Sequence, residues 1–182
     1  IGLNYLMAYT GEEDGLNWVK EFINLNQIRP TTTAKFKSYI AQKTDKNIDW
    51  FFDHFVQEPF SLDYKFSAIS RDNDSLYFSI KNLKKGKYPV TLTALKDNKV
   101  LNSLWLEGFA SEQHFSIPNN GADLLVLNYD HSAPEFNRNN NWKRVHKNKI
   151  LNKPLQLRFL RDVEDPSKAQ IYAIPIAEFQ NI

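Results

Sequence analysis

The residues able to do acid–base, metal or nucleophilic chemistry are few here, and their spacing assembles none of it. The chain carries four histidines, at 54, 114, 131 and 146, and no cysteine. A zinc-binding helix needs His-Glu-x-x-His, which sends two imidazoles from one face, and no histidine stands in that pattern. His131, Glu135 and His146 share one polar stretch, but their spacing matches no compact ligand set, so a solvated loop is expected there. The serines lack the Gly-x-Ser-x-Gly elbow of a nucleophile, and no glycine-rich loop is present to cradle a phosphate. Asp72, Asp74 and Asp97 stand in turn signals, where the carboxylate serves the backbone. Asn73-Asp74-Ser75 matches the glycosylation triplet, a pattern short enough to recur by chance. Trp105, Trp142 and Phe115 can form a sugar- or peptide-binding face, or else sandwich core plus one exposed Trp. The residues thus nominate no catalytic, cofactor-binding or metal-ligating position.

Composition narrows the class. The 182 residues suffice for one large domain or two small ones. A hydrophobic content of 42% with 14% aromatics fits a packed protein and excludes disorder. A formal charge of +2, from 23 basic and 21 acidic residues, gives no electrostatic stripe, so no nucleic-acid partner is expected. Without cysteine there are no disulfides and no thiolate zinc sites. No apolar run approaches the roughly 18 residues that span a bilayer.

The elements are arranged around Asn47–Phe66, NIDWFFDHFVQEPFSLDYKF, where a helix gives way to a strand across Glu58-Pro59. Before it the pattern is helical. Leu3, Leu6 and Met7 share a helix face that ends at Thr10-Gly11. A second helix starts at the acids Glu12-Glu13-Asp14. Its stripes, Leu16, Val19, Ile23 and Trp18, Phe22, Leu25, make a wider apolar face than a lone surface helix needs. Thr31 to Thr33 supply an N-cap for a third helix with Phe36, Tyr39 and Ile40 inward. Asn47 is placed to cap a fourth, running from Asp49 to Val56.

After the break the period falls to two. Leu62, Tyr64 and Phe66 alternate with Asp63, Lys65 and Ser67, and runs at 76–80, 90–94, 100–106, 114–117, 155–159 and 171–176 follow between turn signals. Leu124 to Leu127 is continuously apolar, as for a strand covered on both faces. His131 to Lys149 reads as a polar connection, and Pro175 suggests an edge strand. The predicted fold class is α+β: about four short helices at 1–57, then an antiparallel, Ig-like β-sandwich of seven to eight strands at 58–182. A helical unit of that size is marginal alone, so it must lean on the sandwich or on an upstream partner. Both ends open and close in mid-pattern, so an excised segment of a longer protein is expected.

Read in order, several features resemble a known family. Gly11-Glu12-Glu13, an amphipathic helix, Pro30-Thr31, the helix with Phe36, and Asp49-Trp50-Phe51-Phe52-Asp53-His54-Phe55 look like the late helical region of zinc aminopeptidases related to aminopeptidase N, the gluzincin aminopeptidases. Phe55 stands where that family usually has Trp, and Glu58-Pro59 replaces its Gly-x-Pro. The sandwich, with Pro134-Glu135-Phe136-Asn137-Arg138-Asn139-Asn140 and the ending ILNKPLQLRFLRDVEDPSKAQIYAIPIAEF, is similar to the small domain after the catalytic one in Bacteroidetes-type members. The resemblance implies a parent in which a zinc-bound water attacks a peptide carbonyl. The family's metal motif, its third ligand Glu and its transition-state Tyr lie upstream of the matched region, and Tyr5 and Tyr9 come too late to be that Tyr. The expectation is therefore a non-catalytic C-terminal fragment, a scaffold beside the peptide cleft, without zinc of its own. Its partner would be the upstream catalytic domain, with a dimer through the helical face as a further expectation. The parent would be periplasmic, surface-associated or secreted. The alternative is a binding module whose sandwich face and 131–142 loop recognise a glycan or a protein.

Overall fold

The computed structural model describes residues 2–135, 137–146, 155–159, 165 and 168–173. Three α-helices come first: α1 (Gly2–Thr10), α2 (Glu12–Leu25) and α3 (Thr33–Ala41). Gly11, at φ 121°, turns the chain between α1 and α2, a conformation that favours glycine. Thr32 caps α3, its hydroxyl accepting from Lys35 N at 3.3 Å. The fourth helical element is not an α-helix. Trp50–Phe55 is a π-helical turn, closed by Val56 N donating to Phe51 O at 3.0 Å. The wider turn sends Trp50, Phe51 and Phe52 into the core together; π-turns are uncommon and often sit where a side chain must be re-aimed. Asn47 does not cap it: the N-cap position falls on Asp49, which makes no side-chain cap bond, and Asn47 Oδ1 instead accepts from Asp49 N at 2.9 Å in a turn ahead of the element.

The strands form two antiparallel sheets. One has the order β1 (Tyr64–Arg71), β2 (Ser75–Asn82), β5 (Glu112–Pro118). The other runs β4 (Lys99–Leu106), β3 (Val90–Lys96), β6 (Leu124–Leu127), β7 (Trp142–Arg144). Their facing sides bury Tyr64, Phe66, Leu76, Phe78, Leu92 and Leu125 between them, the interdigitated core of a sandwich. The β3–β4 hairpin turns on Asp97 and Asn98, both in the left-handed region (φ 49° and 64°), as a two-residue primed turn requires.

Four expectations change. The buried face of α1 is Tyr5, Leu6 and Tyr9, and Leu3 is left 44% exposed, because the tyrosine hydroxyls find partners inside. On α2 only the Trp18 and Phe22 stripe packs, Phe22 against Phe36 and Tyr39 at 4.9 and 5.3 Å, while Leu16, Ile23 and Leu25 remain exposed. β3 alternates in sequence yet is buried on both faces: Thr91 and Thr93 satisfy their hydroxyls on Asp130 and Ser103, at 2.8 and 3.0 Å. The 131–149 connection contains β7, paired to β6, whose three residues Trp142, Lys143 and Arg144 are too few to show a period. A further pair, β8 (Leu155–Phe159) and β9 (Ala169–Ala173), runs parallel. Its Leu155, Leu157 and Ile171 are exposed, so it adds little to the core. Ile174, Pro175 and Ile176 of the last expected strand lie outside the described residues.

Candidate functional site

Two constructions tie this fold together, an aromatic junction and a buried polar knot. The junction is where α1 and the π-turn meet the second sheet. Tyr5 lies 4.6 Å from Trp50 and 6.3 Å from Trp105 of β4, and Tyr9 lies 5.2 Å from Trp105. Phe60 and Tyr88, 4.7 Å apart, close the lower side with Phe55. Such pairs contribute roughly 0.5–1.5 kcal/mol each beyond the area they bury. Polar bonds fix the direction of approach: Tyr5 Oη donates to the Pro89 carbonyl, and Tyr9 Oη to Glu107 Oε1 at 2.5 Å. Burial holds both phenols above their usual range, and for Tyr9 the bond to Glu107 adds to it. At the surface Lys37 of α3 reaches Asp49 and Asp53 at 2.8 and 2.9 Å, a small contribution in water.

The knot lies at the start of β1. Glu135 Oε1 accepts from Tyr64 N at 2.9 Å, and Oε2 accepts from Asn128 Nδ2 at 3.3 Å and from Asn141 Nδ2. Asn140 Nδ2 donates to Asp63 Oδ1 at 2.8 Å. Burial pushes the Glu135 carboxyl up to about 7; hydrogen bonds from Asn141, Tyr64 and Asn128 oppose that rise, and the Asp63 charge adds to it. Burial likewise carries Tyr64 up to about 12. The expectation of a solvated loop therefore fails for Glu135, whose acid sits inside because amides satisfy it. The run of asparagines at 139–141 was the available signal for it.

The histidines do not converge. His54 is half-buried, 3.8 Å from Glu58. His114 reaches the Ser79 hydroxyl at 2.7 Å, His131 is exposed, and His146 lies 3.2 Å from Arg71. Among the described residues no three His, Asp or Glu gather as metal ligands, so these residues do not fit the zinc centre that the resemblance implies for the parent. Trp105, Phe115 and Trp142 are also kept apart: Trp105 joins the junction, Phe115 stacks on Phe78 at 5.7 Å, and Trp142 meets Tyr129 at 6.2 Å. They form no common binding face. A shallow cleft of about 560 Å³ opens where the segment 58–61 parts from 82–88, lined by Pro59, Ser61, Lys85 and Tyr88.

This geometry has a solved counterpart. The crystal structure of Legionella pneumophila aminopeptidase A in complex with aspartic acid superposes with a TM-score of 0.60 over 74% of this chain, at 18% identity. The match spans 16% of that protein's length. At that identity the likeness is one of fold: the chain shares the fold of that part of the aminopeptidase. No protein-family model matches the sequence, and no curated protein matches it.

Proposed function

We propose that this chain is the non-catalytic C-terminal part of an aminopeptidase-like metallopeptidase, and that it works as a rigid scaffold beside the peptide cleft. In this reading residues 1–57 end the helical lobe and residues 58–182 form the sandwich. The observation that supports it most is the junction. Tyr5, Tyr9, Trp50, Tyr88 and Trp105 are held in one aromatic cluster, which leaves helices and sandwich little freedom to rotate against each other. A cleft between domains works only if its walls keep their spacing, since small misplacements cost rate steeply. The fold likeness to an aminopeptidase supports the same reading. The zinc and the catalytic acid would come from the upstream domain of the same polypeptide, which is also the chain's main partner, and peptide would be the parent's substrate. The parent would act in the periplasm, at the cell surface or after secretion.

The test uses the chain and its parent together. The purified chain should leave aminoacyl chromogenic substrates unhydrolysed and hold no stoichiometric zinc. In the parent, Trp105→Ala should lower peptide turnover while zinc content stays unchanged. Turnover by the chain alone, or a parent indifferent to Trp105→Ala, would remove the scaffold reading.

A further inference from the structure

The pairing of β1 with β2 comes apart at one end and leaves an opening. Its last rung is Leu83 N donating to Asp63 O at 2.9 Å. Beyond that rung the segments 58–61 and 84–88 part, and among the described residues no backbone bond joins them. The gap is the cleft of about 560 Å³. A recess of about 270 Å³ continues it past Ser61 and Lys84 to Phe60 and Pro134. The walls are held in place. Buried Asn82 donates to the carbonyls of Gly86 and Phe109 at 2.8 and 2.7 Å, and its Oδ1 accepts from Lys84 N at 2.9 Å. Tyr64 Oη donates to the Tyr88 carbonyl at 3.0 Å. The rings of Phe60 and Tyr88, 4.7 Å apart, tie one wall to the other. The opening is therefore formed before any ligand arrives, as binding clefts usually are.

Three features select the occupant. The backbone N–H groups of Ser61 and Lys85, one on each wall, donate to no protein group among the described residues. The walls thus keep the hydrogen-bonding capacity of an unfinished sheet. Leu83, 41% exposed, and Pro59 give the mouth an apolar lip. Lys85 and Lys87 stand exposed on the 84–88 wall, and among the described residues neither has an ion pair. Glu58 on the opposite wall already has His54 at 3.8 Å. Tyr88, the aromatic residue lining the cleft, is 1% exposed, so a base or a sugar finds no ring face there to stack on. We propose that the cleft binds an extended acidic peptide, which enters as a short added strand. Its backbone pairs with the open amides, as in β-strand addition. Successive side chains of a strand point to opposite sides, so apolar ones rest on Leu83 and Pro59 while the carboxylates between them face Lys85 and Lys87. The complementary charge sets which peptides enter. The proposal needs no catalytic group and is independent of the peptidase reading.

The experiment is fluorescence anisotropy of labelled, end-blocked hexapeptides titrated with the chain. One alternates Val with Glu, a second alternates Val with Lys, and a third is the Val-Glu peptide with alternate backbone nitrogens methylated. The Val-Glu peptide should bind saturably, one per chain, while the Val-Lys and methylated peptides do not. Lys85→Glu should weaken binding about fivefold, the loss of one exposed ion pair. Lys99→Glu, at the distant β3–β4 turn, should leave it unchanged. Leu83→Asp should abolish binding and decides the matter should Lys85→Glu fail to fold by circular dichroism. No saturable binding at millimolar peptide overturns the proposal. So does equal weakening by Lys85→Glu and Lys99→Glu, the mark of general charge attraction. Equal binding of the methylated peptide, or displacement by a single-stranded oligonucleotide at the same concentration, overturns it as well.

Discussion

Glu135→Gln, studied as a function of pH, isolates the cost of the buried acid. In the folded chain the carboxyl titrates at about 7 against an ordinary value of 4.5. A group whose folded pKa is raised contributes stability that is fully present below the unfolded pKa. That contribution is lost as the pH rises through the folded one. Below pH 4.5 both states hold the proton. Between 4.5 and 7 the unfolded chain ionises while Glu135 inside remains protonated, so stability falls, and above 7 it levels off. At 1.36 kcal/mol per unit the whole decline is on the order of 3 kcal/mol. With a urea slope of ~1–3 kcal/mol per molar, the midpoint moves by roughly 1–3 M. The assay is urea unfolding followed by tryptophan fluorescence at steps from pH 4 to pH 8, for wild type and variant. Other groups titrate alike in both, so the difference between the two curves belongs to Glu135. Wild type should lose stability relative to the variant as pH rises through 4.5 to 7. Parallel curves would refute the reasoning, and a difference of opposite sign would mean that the three amide and backbone donors outweigh burial.

Two further predictions follow from the packing. Trp50→Ala empties a site 5% exposed at the centre of the junction; such truncations cost about 3–5 kcal/mol, reduced by about 1 kcal/mol because the indole N–H is buried without a partner. At ~2–4 °C per kcal/mol for a chain of this size, calorimetry should show the Tm falling by roughly 4–16 °C, whereas Trp142→Ala, with a single aromatic partner at 6.2 Å, should fall by less. Leu16 and Ile23 on α2 and Ile28 beyond it, 42, 58 and 95% exposed, form an apolar face that promotes association; sedimentation at high concentration should show dimer, and Ile23→Lys should return the chain to monomer.

The α+β class was legible because the two periods are local and unmixed: Leu62, Tyr64 and Phe66 alternate cleanly, and Phe36, Tyr39 and Ile40 mark one helix face. The hairpin at Asp97-Asn98 was legible for the same reason, since its turn residues answer a local backbone demand. What stayed hidden depends on partners distant in sequence. Glu135 looks like a solvated loop acid until Tyr64 and Asn141 are seen to donate to it. Tyr5 and Tyr9 read as incidental members of α1 until Pro89 and Glu107 accept their hydroxyls. Apolar periodicity ranks Leu3 above them and so chooses the wrong face. The π-turn could not be read either, because six residues are too few to separate a period of 3.6 from a slightly wider one.

The π-turn explains why the junction is built from so many rings. An α-helical Trp50–Phe55 would spread its side chains at ordinary helical spacing, and Trp50, Phe51 and Phe52 could not all turn inward. In the wider turn all three are buried: Trp50 faces Tyr5 of α1 and Tyr88 ahead of β3, Phe52 faces Phe36 of α3, and Phe51 packs within the turn against Trp50, Phe52 and Phe55. One short segment thereby touches α1, α3 and the approach to the sandwich. Rings suit that task because they cover large areas with few torsions to freeze. The stability of the helical part therefore depends on the sandwich that receives it.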